Sequence, residues 1–184
     1  MMLLATVFLA VFGALAAFDG LYFHLWKYRL YARAESLYEH KLHTARAFLF
    51  VPIVFLLFYG EFAGAALWAA LFLIAVDLVI EIVDVLDEND SRRGIGGLSS
   101  IEYATHVLAT TARVAAMVLA LAAKPAAAWS LAAPFSIGPG DAATNFVALN
   151  VVAANFVVGA LHLWLMRPQF RASGLLPVRT CCGV

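Results

Sequence analysis

Between Leu67 and Glu88 the chain reads LWAALFLIAVDLVIEIVDVLDE, a stretch that begins as an unbroken apolar run and ends as a ladder of acids. Asp77, Glu81, Asp84 and Glu88 fall at i, i+4, i+7 and i+11, which is one stripe of an α-helix. Leu78, Val79, Ile80, Ile82, Val83, Val85 and Leu86 occupy the other sides, so the stripe is not the polar face of a water-exposed helix. Such a helix carries carboxylates into a bilayer. Charges there cost about 2.5–3.5 kcal/mol each at mid-membrane, and they usually mark a site.

Composition places the rest of the chain in the same solvent. Of 184 residues 64% are hydrophobic and 13% charged, and the mean hydropathy is +0.89. A water-soluble domain of this size has no use for so much apolar surface, so the chain reads as an all-α integral membrane protein. Its soluble parts are too short to fold alone, which makes residues 1–184 a single domain. A net charge of zero argues against nucleic acid as a partner. Cys181 and Cys182 are adjacent, so they cannot clamp distant segments, and there is no C-x-x-C pair for structural zinc. The terminal CCGV has the outline of a lipidation box. Cys182 and Gly183 match its aliphatic positions poorly, and the tail reads as unstructured.

Five spans are predicted, at about 2–26, 43–59, 62–86, 101–123 and 142–166. The first resembles a secretory signal, with Ala14-Leu15-Ala16 as a cleavage site, but it lacks a positive n-region and reads as a transmembrane helix. Tyr22, Phe23 and Trp26 form an interfacial belt at its end. The linker KYRLYARAESLYEHKLHTAR is expected to be helical from about Ala34 and to run into the second span, which Pro52 kinks. Gly60-Glu61 turns into the third span. The loop DENDSRRGIGGLSS follows it, and Ser99 or Ser100 caps the fourth helix with Glu102 in its first turn. Lys124-Pro125 stops that helix. An apolar connection, Ala126 to Gly140, is broken by Pro134 and Pro139 and reads as a short interfacial helix and a loop. Asp141 opens the last helix and Arg167-Pro168 ends it.

With the N-terminus outside, Lys27, Arg29, Arg33, Lys41, Arg46, Arg92, Arg93, Arg167, Arg171 and Arg179 all lie on the cytoplasmic side. The other side keeps only Lys124. This bias predicts a five-helix bundle with an outer N-terminus and a cytoplasmic C-terminus, in the plasma (bacterial inner) membrane. The same topology gathers the reactive groups. Asp19 and His24 end the first helix at the inner face, and Glu39, His40 and His43 begin the second there. Asp77, Glu81 and Asp84 end the third, Glu102 and His106 begin the fourth, and His162 ends the fifth. All five histidines and all acids but Glu61 and Asp141 fall in the inner half or just below it.

Histidine with carboxylate is the usual ligand mix for iron, manganese or zinc. Glu39-x-x-x-His43 and Glu102-x-x-x-His106 each put both side chains on one helix face. The expected ligands are Glu39, His43, Asp77, Glu81, Asp84, Glu102, His106 and His162, with Asp19 as an extra. Two divalent metals, iron first, fit that count. Glu39 and Arg113 are assigned catalytic parts, Arg113 by orienting a carboxylate or an anionic head group. Asp77 and Arg113 lie at one depth and also read as a buried pair that packs the third and fourth helices. His24 and His40 read equally as interfacial residues, and Glu35, Asp87, Glu88 and Asp90 as solvated.

Known metal motifs do not match. Soluble di-iron bundles use Glu-x-x-His, one residue shorter than both pairs here. There is one His-x-x-His, His40 to His43, and no His-Glu-x-x-His. A b-type haem held by two of His43, His106 and His162 is less fitting among so many carboxylates. The expected function is a metal-dependent membrane enzyme acting on a lipid or other apolar substrate, with oxygen activation ahead of hydrolysis. The alternatives are a cation or proton transporter, or an accessory subunit of a larger complex. Helix 3 from Ala63 to Val76 has no polar residue to continue an ion path, and only Thr144, Asn145, Asn150 and Asn155 on helix 5 favour one.

Overall fold

A computed structural model of the protein describes residues 1–135, 137 and 140–172. Pro139, Arg179, Cys181 and Cys182, on which parts of the sequence reading rest, lie outside the described residues. The helices are α1 (Met2–Phe18), α2 (Leu37–Phe58), α3 (Ala65–Ser91), α4 (Ser100–Ala122) and α5 (Ala142–Leu165). A π-helical segment, Asp19–Lys27, continues α1 without a break, and short 3₁₀ turns occupy the connections. There is no strand among the described residues. All five helices, α1 with its π-helical extension, are long and apolar enough to cross a membrane.

Two boundaries differ from expectation in ways that shape the site. The linker helix starts at Leu37, three residues later than expected, and runs without a break into the second span, because nothing between Leu37 and Ala47 interrupts it. The chain before it does not run straight in. Arg29 is left-handed at φ 52°, a 3₁₀ turn covers Leu30–Ala32, and the Ser36 hydroxyl donates across to the Ser91 carbonyl at 3.1 Å. The third helix ends at Ser91 rather than 86. Asp87, Asn89 and Asp90 are turn formers, yet no glycine or proline interrupts them, and the Arg92 N–H still reaches the Glu88 carbonyl at 3.0 Å. This helix begins three residues late, after Gly64. That glycine has φ 60° and its N–H bonds the Ala128 carbonyl at 2.8 Å, and a β-carbon there would sit 2.3 Å from the Ala133 carbonyl oxygen.

The fourth and fifth helices open as their caps dictate. The Ser99 hydroxyl accepts from the Glu102 N–H at 3.3 Å. Asp141 accepts from the Thr144 N–H at 2.9 Å and from its hydroxyl at 3.1 Å. These two bonds, the backbone one first, hold the Asp141 carboxyl below its ordinary range.

Packing runs from helix to helix in the order α3, α2, α5, α1, α4, with α1 on both α4 and α5. Helices α3 and α4 are consecutive in sequence yet scarcely pack on each other. One end of the bundle is a closed apolar core in which Leu9, Ile53, Val54, Leu57, Leu67 and Ala120 are fully buried. Alternating helix direction brings the C-terminal ends of α1, α3 and α5 and the N-terminal ends of α2 and α4 to the other end. Helix α3 is oriented unambiguously: Val79, Ile82 and Leu86 are 61, 61 and 74% exposed, whereas Asp77 and Glu81 are 1 and 8% exposed. Its acid stripe points inward and its apolar side outward.

Candidate metal centre

The π-helical segment sets the geometry of the first two candidate ligands. Asp19 and His24 are five residues apart, which in an α-helix would turn them to different sides. Bonding from i to i+5 widens the turn, and residues so spaced come one above the other. Asp19 Oδ2 accordingly lies 3.3 Å from His24 Nε2.

From that pair a chain of alternating carboxylates and imidazoles runs in both directions. On one side Asp19 Oδ1 is 2.9 Å from His106 Nε2, and His106 Nδ1 is 2.5 Å from Glu88 Oε1. On the other, His24 Nε2 is 4.0 Å from Glu39 Oε1, which is 3.9 Å from His43 Nε2. His43 Nε2 is in turn 2.9 Å from Asp84 Oδ2. The sequence Glu88, His106, Asp19, His24, Glu39, His43, Asp84 thus begins and ends on α3 and passes through α4, α1 and α2. The rings of His24 and His43 stack with centroids 4.5 Å apart, and His106 stands edge-on to His24 at 5.9 Å. Two triads share His24. The potential donor atoms of Asp19, His24 and His106 lie within 4.8 Å of one another, and so do those of His24, Glu39 and His43. Glu88, Glu102 and His106 form a third such group.

Three arginines fix the surrounding carboxylates. Arg113 contacts both Asp77 and Glu81. Arg46 reaches Asp77 at 3.4 Å, Glu81 at 3.2 Å and Asp84 at 3.1 Å. Thr110 donates to Glu81 at 2.9 Å. Arg92, fully buried, donates to Glu39 at 2.5 and 2.9 Å and to Glu102 at 2.7 and 3.0 Å, with the Tyr28 ring 5.4 Å from its guanidinium carbon. Burial alone would lower the Arg92 guanidinium, but the carboxylates of Glu39 and Glu102 outweigh it and raise the group above its ordinary value.

The expected ligands therefore divide. His43, His106, Asp84, Glu39 and Asp19 meet in the ring. Asp77 pairs with Arg113, as their shared depth suggested, and Glu81 joins that pair instead of facing a histidine. Glu102 belongs to the Arg92 clamp and reaches the ring only beside His106. His162 stands apart from His43 and His106. Its ring lies 4.4 Å from that of His40, whose Nε2 is 3.3 Å from the His162 carbonyl oxygen. His24 and His40 are not interfacial: both are 2% exposed. Glu88 is not solvated, since α3 extends far enough to bring it to His106. Glu35 and Asp90 are exposed, as expected.

Four residues were missed or undervalued. Arg46 follows Glu39 and His43 at i+7 and i+3, so it shares their face, a signal overlooked because it also counted as an inner-side charge. Glu88 continues the acid stripe of α3. His24 reads only as an alternative to Asp19, because an α-helical spacing does not put the two on one face. Arg92 lies just past α3, where spacing predicts nothing.

The residues of the ring, with Arg46, Arg113, Asp77 and Glu81, line a cavity of about 420 Å³, whose remaining wall comes mainly from α1 and α5 and is apolar but for Thr110, Asn155 and His162. That volume lies within the usual range for ligand sites, about 300–1,000 Å³. No protein-family model matches the chain, and no curated protein or solved structure matches it significantly. The chemistry of the residues themselves thus carries the functional reading.

Their charge is unbalanced. Seven carboxylates, Asp19, Glu39, Asp77, Glu81, Asp84, Glu88 and Glu102, stand with three guanidiniums, Arg46, Arg92 and Arg113, an excess of four when the acids are ionised and the imidazoles neutral. Buried charge of one sign demands a counter-charge. Neutral imidazoles with carboxylates are donors for iron, manganese or zinc.

Proposed function

We propose that the ring holds two divalent metal ions, iron in the first place with manganese or zinc as alternatives, and that the protein is a metal-dependent membrane oxidoreductase acting on a lipid or other apolar substrate. The observation that carries this reading is the alternation of three imidazoles with four carboxylates from four helices around a shared His24. Two divalent ions supply the positive charge that the arginines leave wanting. His24, His43 and His106 hold them with Asp19, Glu39, Asp84 and Glu88. When bound, such ions activate oxygen, or water in a hydrolytic variant. Arg92 fixes the orientation of Glu39, and Arg46 that of Asp84, as outer partners of metal ligands do. Arg113, against Asp77 and Glu81, takes the positioning part first assigned to it. The apolar side of the cavity admits substrate and excludes water from the reacting end.

The basic residues around this end support a location on the cytoplasmic side of the plasma (bacterial inner) membrane, with the N-terminus outside and the C-terminus inside. A proton or cation path is disfavoured by the closed apolar core at the opposite end. The test is elemental analysis of purified protein, wild type against His24→Ala and His43→Ala. Bound metal in wild type that falls in both variants supports the proposal. Protein that stays folded and active in its host without binding iron, manganese or zinc contradicts it.

A further inference from the structure

Helices α1 and α5 touch at the apolar end of the bundle. The Thr6 and Thr144 hydroxyls share a 2.9 Å hydrogen bond, and a β-carbon on Gly13 would meet Val151 at 3.5 Å. Toward the metal end their residues line the cavity instead. Ala17, Leu21 and Leu25 form one wall, and Ala154, Val158 and Leu161 the other. Leu21 is 58% exposed although it lines the cavity, and so is the lining residue Val157 at 63%. Val85 of α3, at 60%, and Thr110 of α4 are exposed and lining as well, so the cavity opens on both sides. Between α1 and α5 the mouth is apolar, whereas Arg113, Thr110 and His106 cross the gap between α3 and α4 to Glu81 and Glu88.

His162 stands on the cavity wall with the apolar residues of α5. It is 4% exposed, and neither ring nitrogen has a hydrogen-bond partner within the protein. His40 packs against its ring. A buried imidazole left unpaired is costly, so a partner from outside the chain is called for.

We infer that this half of the cavity binds a single-chain amphiphile with an uncharged oxygen head, of the long-chain alcohol class. The alkyl chain enters from the bilayer between α1 and α5, and the head hydrogen-bonds His162. Without bound metal the excess of carboxylates around the cavity disfavours an anionic head. Only the word substrate rests on the metal reading; binding itself does not require the metal.

The test uses the full chain in phosphatidylcholine nanodiscs and dodecanol carrying a mid-chain diazirine. After irradiation, adducts are mapped by peptide mass spectrometry and metal is measured on the same samples. Adducts should concentrate on residues 17–25 and 154–161. Unlabelled dodecanol should displace the probe and ionised dodecanoate should not. Ala154→Trp and, as a milder block, Val158→Phe should each lower labelling, the former by about tenfold or more. His162→Phe should weaken displacement by dodecanol about three- to tenfold, the worth of one hydrogen bond. Adducts spread evenly over the outward faces and unchanged by either blocking variant would overturn the inference. Equal displacement by dodecanoate would overturn the uncharged head, and an unaffected His162→Phe the role of His162. Labelling that persists in protein lacking metal would leave this site standing and remove the metal reading alone.

Discussion

Arg113 sits 1% exposed between Asp77 and Glu81, and each of those acids also faces Arg46. Removing Arg113 leaves the partly exposed Arg46 alone against three buried acids, Asp77, Glu81 and Asp84. Arg113→Ala is therefore expected to destabilise the protein by roughly 3–5 kcal/mol, read as a shift in denaturation in detergent. Stability equal to wild type would mean that Arg46 alone is sufficient counter-charge for these acids. Glu81→Ala should act likewise on stability rather than on metal content, because its oxygens go to arginines and Thr110. His24→Ala and His43→Ala should do the reverse. They remove donors from the ring and should lower bound metal with the helical spectrum intact, as elemental analysis and circular dichroism would show. At this scale the sequence was partly legible. An aspartate and an arginine at one membrane depth are natural partners, and a histidine four residues from a glutamate shares its face. Which acid turns to an arginine and which to a histidine depends on helix rotation and on side-chain length across the bundle. Spacing along one helix does not contain that, and Glu81 shows it.

The acid stripe of α3 and the Glu39–His43–Arg46 face of α2 follow from the 3.6-residue period, and both occur where that period puts them. The π-helical segment does not follow from any period. Asp19 and His24 share a face only because the turn is widened between them, and nothing in DGLYFHLWK announces it. Its removal gives a direct test. Gly20 has no side chain and no neighbour within 4 Å of where a β-carbon would stand, so deleting it removes no side-chain contact. Deletion should return the segment to α-helical register and leave Asp19 and His24 at i and i+4, which share a face of an ordinary α-helix. The expected outcome is a folded, helical protein that keeps its metal. A folded deletion variant without metal would show that the one-residue shift takes Asp19 or His24 out of the ring. Arg92 marks another limit of legibility. It lies in a connection with no periodicity, yet it joins Glu39 of α2 to Glu102 of α4 across the bundle end.

For the whole molecule, the five-span count came from hydropathy, and the gathering of titratable groups at one end came from alternating helix direction. The expected orientation came from the distribution of lysine and arginine. A reporter fused after Val184 should be cytoplasmic, and one inserted after Ser130 should be external. The opposite pair of results would invert the bundle and place the site at the outer face. The central claim is that the ring at this end is a dinuclear metal centre built of nitrogen and oxygen donors. X-ray absorption at the metal edge, on protein purified with its native metal, tests it most directly. The expected spectrum has a nitrogen and oxygen shell at about 2.0–2.2 Å and a second metal scatterer at about 3.5–4 Å. A sulfur-dominated shell, or a metal with no neighbouring metal and no imidazole scattering, would contradict it.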